Sequence, residues 1–104
     1  MLDHYVVFRP LDGNGPALSD ALRAFCAHIA DLDCVRELTW GENTNPSGLK
    51  QGYTHGCFVR LTGEEALRGP YWNHPAHQRL LSELDRLCDD RFAVDYPSHE
   101  GRHP

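Results

Sequence analysis

The chain has 104 residues, enough for one small domain with one modest core, and its 40% hydrophobic and 24% charged composition is ordinary for a globular protein. A net charge of −5, with no basic run or basic–aromatic stripe, argues against nucleic-acid binding. No apolar run approaches the roughly 20 residues of a membrane span, and Met1-Leu2-Asp3-His4 has neither the basic nor the apolar region of a signal peptide.

Residues 4–9 read as a strand, with His4, Val6 and Phe8 on one side and Tyr5, Val7 and Arg9 on the other. Residues 10–16, which include Asp12-Gly13-Asn14-Gly15, form a turn that lacks the glycine spacing of a phosphate cradle. Leu18, Leu22, Phe25, Cys26 and Ile29 then mark one face of an amphipathic helix ending near Asp31. Residues 35–41 are a second strand. Residues 42–52, with their Asn, Pro, Ser and Gly, are an exposed loop. Residues 53–62 are a third strand, with His55, Cys57, Val59 and Leu61 on one side.

Residues 64–68 suggest a short helical turn broken by Gly69-Pro70. Pro75 suits the first turn of a second long helix, so Asn73 or His74 should cap it. Its apolar stripe is Leu80, Leu81, Leu84, Leu87 and Cys88. His77 shares that face and should point inward. Residues 92–96 are the last strand. The domain is therefore expected over residues 1–97, with a polar, frayed tail over 98–104.

The order β-α-β-β-α-β describes an α+β, ferredoxin-like fold, an antiparallel sheet with both helices on one face. Tyr5, Val7 and Phe58 on the other face are too apolar to stay wet, and a second copy of the chain is the expected cover. Cys26, Cys34, Cys57 and Cys88 contain no C-x-x-C pair and are expected to be free thiols of a cytoplasmic protein.

Four segments resemble the stress-responsive A/B barrel (Dabb) family: His4-Tyr5-Val6-Val7-Phe8, Gln51-Gly52-Tyr53-Thr54-His55, the stretch from Tyr71 through His77 with its His-Pro-Ala-His core, and Ala93-Val94-Asp95-Tyr96. The resemblance spans nearly the whole chain and implies a dimeric α+β barrel. The family includes the plant polyketide cyclase that makes olivetolic acid. By resemblance to that enzyme, Tyr71 and His77 are the catalytic pair, His4 is its strand histidine, and Asp95 is the carboxylate that supports the catalytic histidine.

These residues allow competing roles. His77 is either a general base or a core histidine bonded to Asp95. Tyr71 either stabilises a developing oxyanion or closes the pocket mouth. Strand alternation puts His4 with Val6 and Phe8, and His55 with Cys57 and Val59; if both faces point toward the helices, the two imidazoles line one cavity. Val6, Phe8, Phe25 and Trp72 complete the expected substrate wall, with His28 nearby on the first helix. No metal site is expected: His74 and His77 lack a third ligand, and His99-x-x-x-His103 is sparse.

The reading that follows is a cofactor-independent cyclase performing an intramolecular aldol reaction on a small-molecule substrate. The alternatives are a non-catalytic stress-responsive or ligand-binding dimer of the same family and, on fold analogy alone, a cofactor-free monooxygenase or other degradative enzyme.

Overall fold

The structure, a computed structural model, describes residues 1–101. Four strands, β1 (Leu2–Pro10), β2 (Val35–Glu42), β3 (His55–Leu61) and β4 (Cys88–Pro97), form one antiparallel sheet in the order β2-β3-β1-β4. Helices α1 (Gly15–Ile29), α2 (Glu64–Ala66) and α3 (Pro75–Leu87) complete the α+β, ferredoxin-like architecture.

Helical spacing explains the packing. Leu18, Leu22, Phe25 and Ile29 of α1 are buried, as are Ala76, His77, Leu80, Leu84 and Leu87 of α3. They meet Phe8, Cys57, Val59 and Leu61 of the sheet in one core. The four cysteines are free thiols.

The chain differs from the sequence expectation at two places that shape the site. Gly69-Pro70 does not break the helical turn. The chain runs on from α2 as a π-helical turn, Leu67–Tyr71, with Pro70 inside it. Proline has no N–H to give and its ring crowds the carbonyl four residues back, and the wider turn relieves both. Tyr71, at its end, is turned into the core with 2% of its surface exposed.

The second difference is β4, which begins at Cys88 rather than at residue 92. Cys88 is extended and ends the stripe of α3 instead of extending it. The register pairs His4 with Asp95, Val6 with Ala93 and Phe8 with Arg91, so Asp95, Ala93 and Arg91 share the helix side of the sheet.

The opposite face carries Tyr5, Phe58, Phe92, Val94 and Tyr96. Tyr5 lies 4.6 Å from Phe58 and stacks on Tyr96 at 6.0 Å between ring centroids. Tyr5, Phe92, Val94 and Tyr96 remain exposed. The expected tail is tied down at its start: the Ser98 amide donates to the Met1 carbonyl at 2.8 Å and its hydroxyl to Asp3 at 2.7 Å. Asp3 is also gripped in a fork by Arg60, at 2.7 and 3.1 Å. His103 lies outside the described residues.

Candidate active site

A cavity of about 270 Å³ lies between β1, α1, α3 and β4, walled mainly by Val6, Phe8, Phe25, Leu80, Leu81 and Leu84. Five rings gather at its polar end. Tyr71 and His77 are 4.8 Å apart between centroids, Trp72 and His77 4.9 Å, and His4 meets Tyr71 edge-on at 5.7 Å. Phe25 packs 6.2 Å from both Tyr71 and His77.

Local chain geometry places the two polar rings. The π-helical turn delivers Tyr71. The side chain of His74 caps α3 by accepting from the Ala76 amide at 3.0 Å, which starts the helix one turn before His77. His77 Nδ1 donates to the Trp72 carbonyl at 3.0 Å. In the neutral ring this leaves Nε2 with a free lone pair. Neither His77 Nε2 nor the Tyr71 hydroxyl has a partner among the described residues, yet no fully enclosed side-chain nitrogen or oxygen goes unpaired. Both atoms therefore reach open space, and the space beside them is the cavity.

Burial sets their protonation. It pushes the His77 pKa below the usual histidine value, against a smaller upward pull from the Trp72 carbonyl, so the ring is neutral at neutral pH. Burial, with a smaller contribution from the Asp95 carboxylate, pushes the Tyr71 phenol well above the usual tyrosine value and keeps it protonated. The site thus sets a free base beside a phenol that keeps its proton to donate.

Two sequence expectations need correction. Asp95 does not support His77: its carboxylate pairs with Nδ1 of His4, its cross-strand neighbour in the register. His77 takes a backbone carbonyl instead, because α3 enters from the other side of the cavity. His55 does not share the cavity with His4. It is buried at the start of β3, with Nε2 on the Ser19 hydroxyl at 2.8 Å and Nδ1 on the Thr54 hydroxyl at 2.7 Å. Both histidines do lie on the helix side of the sheet, but His55 pairs opposite Phe8, four residues along β1 from His4. His28 faces a separate groove between α1 and α3.

Val6, Phe8, Phe25 and Trp72 do line the cavity, with Trp72 half exposed at its edge. His74 and His77 do not converge. His74 Nε2 turns toward Asp31, at 3.5 Å, while His77 faces the cavity. Arg91 also lines the wall and was missed. The signal was available: counting back from Asp95 in steps of two reaches Ala93 and Arg91, had the strand been begun early enough.

A model of the stress responsive A/B barrel domain family, Dabb, matches residues 2–98. No curated protein sequence matches this one. Among solved structures, the chain is similar to a dimeric ferredoxin-like protein of unknown function from Jannaschia, with 25% identity, 93% of this chain and 98% of that one covered, and a TM-score of 0.83. It is similar in fold to At3g17210 from Arabidopsis thaliana, with 21% identity, coverage of 99% and 100%, and a TM-score of 0.81. The hydroxynitrile lyase from Passiflora edulis shares the fold at 16% identity, with coverage of 98% and 96% and a TM-score of 0.78.

Proposed function

Because the chain belongs to the stress responsive A/B barrel family, we propose that it works as a homodimeric barrel whose cavity catalyses proton transfer at carbon, in the manner of a cofactor-independent polyketide cyclase. The observation that carries this reading is the pair of unpartnered polar atoms, His77 Nε2 and the Tyr71 hydroxyl, in an otherwise mostly apolar cavity. The exposed aromatic face of the sheet and the dimeric Jannaschia relative support the dimer.

His77 Nε2 takes a proton from a carbon next to a carbonyl, and the electron pair moves onto the carbonyl oxygen. Tyr71 donates a hydrogen bond to that enolate oxygen, and the benefit is largest where water is scarce. The enolate carbon then attacks a second carbonyl of the same chain. The new alkoxide recovers a proton from the His77 imidazolium, so no net proton is consumed. Apolar walls that hold the chain folded raise the effective concentration of its two ends. A cavity of about 270 Å³ sits at the small end of ligand pockets and suits a short chain.

The test is deuterium exchange next to the ketone of 4-oxopentanoate and of its methyl ester, followed by NMR. Wild type should exchange above background. His77→Ala should return exchange to background while remaining folded by circular dichroism, and Tyr71→Phe should slow it by about 10²–10³-fold. Exchange undiminished in folded His77→Ala removes His77 as the base. Ring closure is read separately, as methyl 2,4-dihydroxy-6-methylbenzoate formed from methyl 3,5,7-trioxooctanoate when the aldol adduct loses one water and its remaining ketones enolise. Exchange without ring closure would leave proton transfer and remove cyclisation.

A further inference from the structure

The cavity wall holds one side chain with a permanent charge, Arg91. It stands on the helix side of β4 opposite Phe8, and its guanidinium is near enough to His77 to disfavour a proton there. Its only side-chain hydrogen bond among the described residues joins Nη1 to Asp85 at 3.2 Å. That pair is weakly held: the Asp85 side chain is 74% exposed and the Arg91 side chain 37%. Ion pairs exposed to this degree contribute little and exchange readily for a better acceptor. The guanidinium has five donors in a planar fork, and one contact to Asp85 leaves most of them open.

We propose that the substrate is a short oxo acid whose free carboxylate is gripped by Arg91 while its carbonyl lies against Tyr71 and His77. The proposal rests on the proton-transfer reading above and supplies its substrate class. A carboxylate matches the fork of a guanidinium with two parallel hydrogen bonds. One guanidinium, with no second permanent cation in the wall, fits a single carboxylate better than a dianionic phosphate. The rest of the wall, with Leu80, Leu81 and Leu84 of α3, suits the alkyl part of such a molecule. The chain as a whole carries a charge of −5, which opposes the approach of anions, so the local cation has to supply the attraction. Arg91 is then a specificity-determining residue, apart from the groups that move the proton.

Binding tests this without turnover. The protein is titrated with 4-oxopentanoate and separately with its methyl ester, following the ring C–H signals of His77 by NMR at low and high salt. In wild type the carboxylate should bind more tightly than the ester, and the margin should shrink as salt rises. Arg91→Gln should weaken the carboxylate by about 10–100-fold and leave the ester unchanged. Equal binding of the two probes, no binding of the carboxylate, or a carboxylate preference that survives Arg91→Gln overturns the proposal. Loss of exchange in His77→Ala is a separate result, so failure of the substrate class and failure of the proton-transfer reading can be told apart.

Discussion

His55 and His77 are both buried imidazoles, 3% and 6% exposed, and burial lowers the pKa of each. They differ in what their second nitrogen meets. His55 has a hydroxyl on each nitrogen, Ser19 on one side and Thr54 on the other, and hydroxyls can donate or accept, so either tautomer is satisfied. It fastens α1 to the start of β3. His77 spends one nitrogen on the Trp72 carbonyl and leaves the other open beside a phenol. A perturbed pKa therefore marks both positions, while an unspent lone pair facing a cavity marks one.

Paired substitutions should break this symmetry most sharply. His55→Ala empties a packed site and strands two hydroxyls, and should destabilise the fold by about 2–4 kcal/mol. Each molecule that remains folded should keep its exchange activity. His77→Ala should do the reverse, with activity lost and the sheet and helices intact. Thermal melts alongside exchange rates normalised to the folded fraction measure both. If His55→Ala lost activity per folded molecule as His77→Ala does, His55 would be part of the reacting site and not only a fastener between α1 and β3.

Much of this was legible from the sequence, and the gaps have physical causes. Periods of two and 3.6 located the long helices, the strands and the inward turn of His77, because those periods are fixed by backbone geometry. The π-helical turn was not legible: Pro70 after Gly69 normally ends a helix, and only the packing of Tyr71 into the core makes the wider turn worthwhile. Partners were legible only within an element. The pairing of Asp95 with His4 depends on the register between β1 and β4, strands separated by most of the chain. Arg91 was hidden because the polar run Asp89, Asp90 and Arg91 fell outside the strand expected over residues 92–96, whereas in the sheet Asp89 is held by Arg9 and Asp90 by Tyr53, and the strand continues through them.

Acid should expose the feature the two histidines share. Each holds a proton less tightly when folded than the ordinary value of about 6.5 it regains on unfolding. The unfolded chain then binds more protons as pH falls. Stability should be full above about pH 6.5, decline below it, and level off once pH passes the folded-state values. Asp3, lowered chiefly by Arg60, adds a loss of the same sign that begins only as pH falls toward its ordinary value of 3.8 and continues below it, so the two windows separate. Chemical denaturation between pH 7.5 and 5 should show the histidine slope, and His55→Asn should make it shallower. Activity should follow the same sign, with an acid limb below pH 6.5 where His77 gains its proton. A limb above pH 6.5 would mean that the base is not a desolvated imidazole.

The smallest expected effect is the most pointed, because it separates the structure from the family analogy. Were Asp95 the group that fixes and supports the catalytic imidazole, Asp95→Asn should cost on the order of 10⁴-fold in turnover, the usual penalty when a base loses its orienting carboxylate. In the structure that orienting is done by the Trp72 carbonyl, which no side-chain substitution removes. Asp95 serves His4, in a pair whose carboxylate is 37% exposed, where such contacts contribute about 0–1 kcal/mol. Asparagine keeps an acceptor at the same place. Asp95→Asn should therefore change exchange rates by less than about tenfold and leave the acid limb where it stands in wild type. A loss of several orders of magnitude would mean that in the working state the carboxylate leaves His4 and moves to His77.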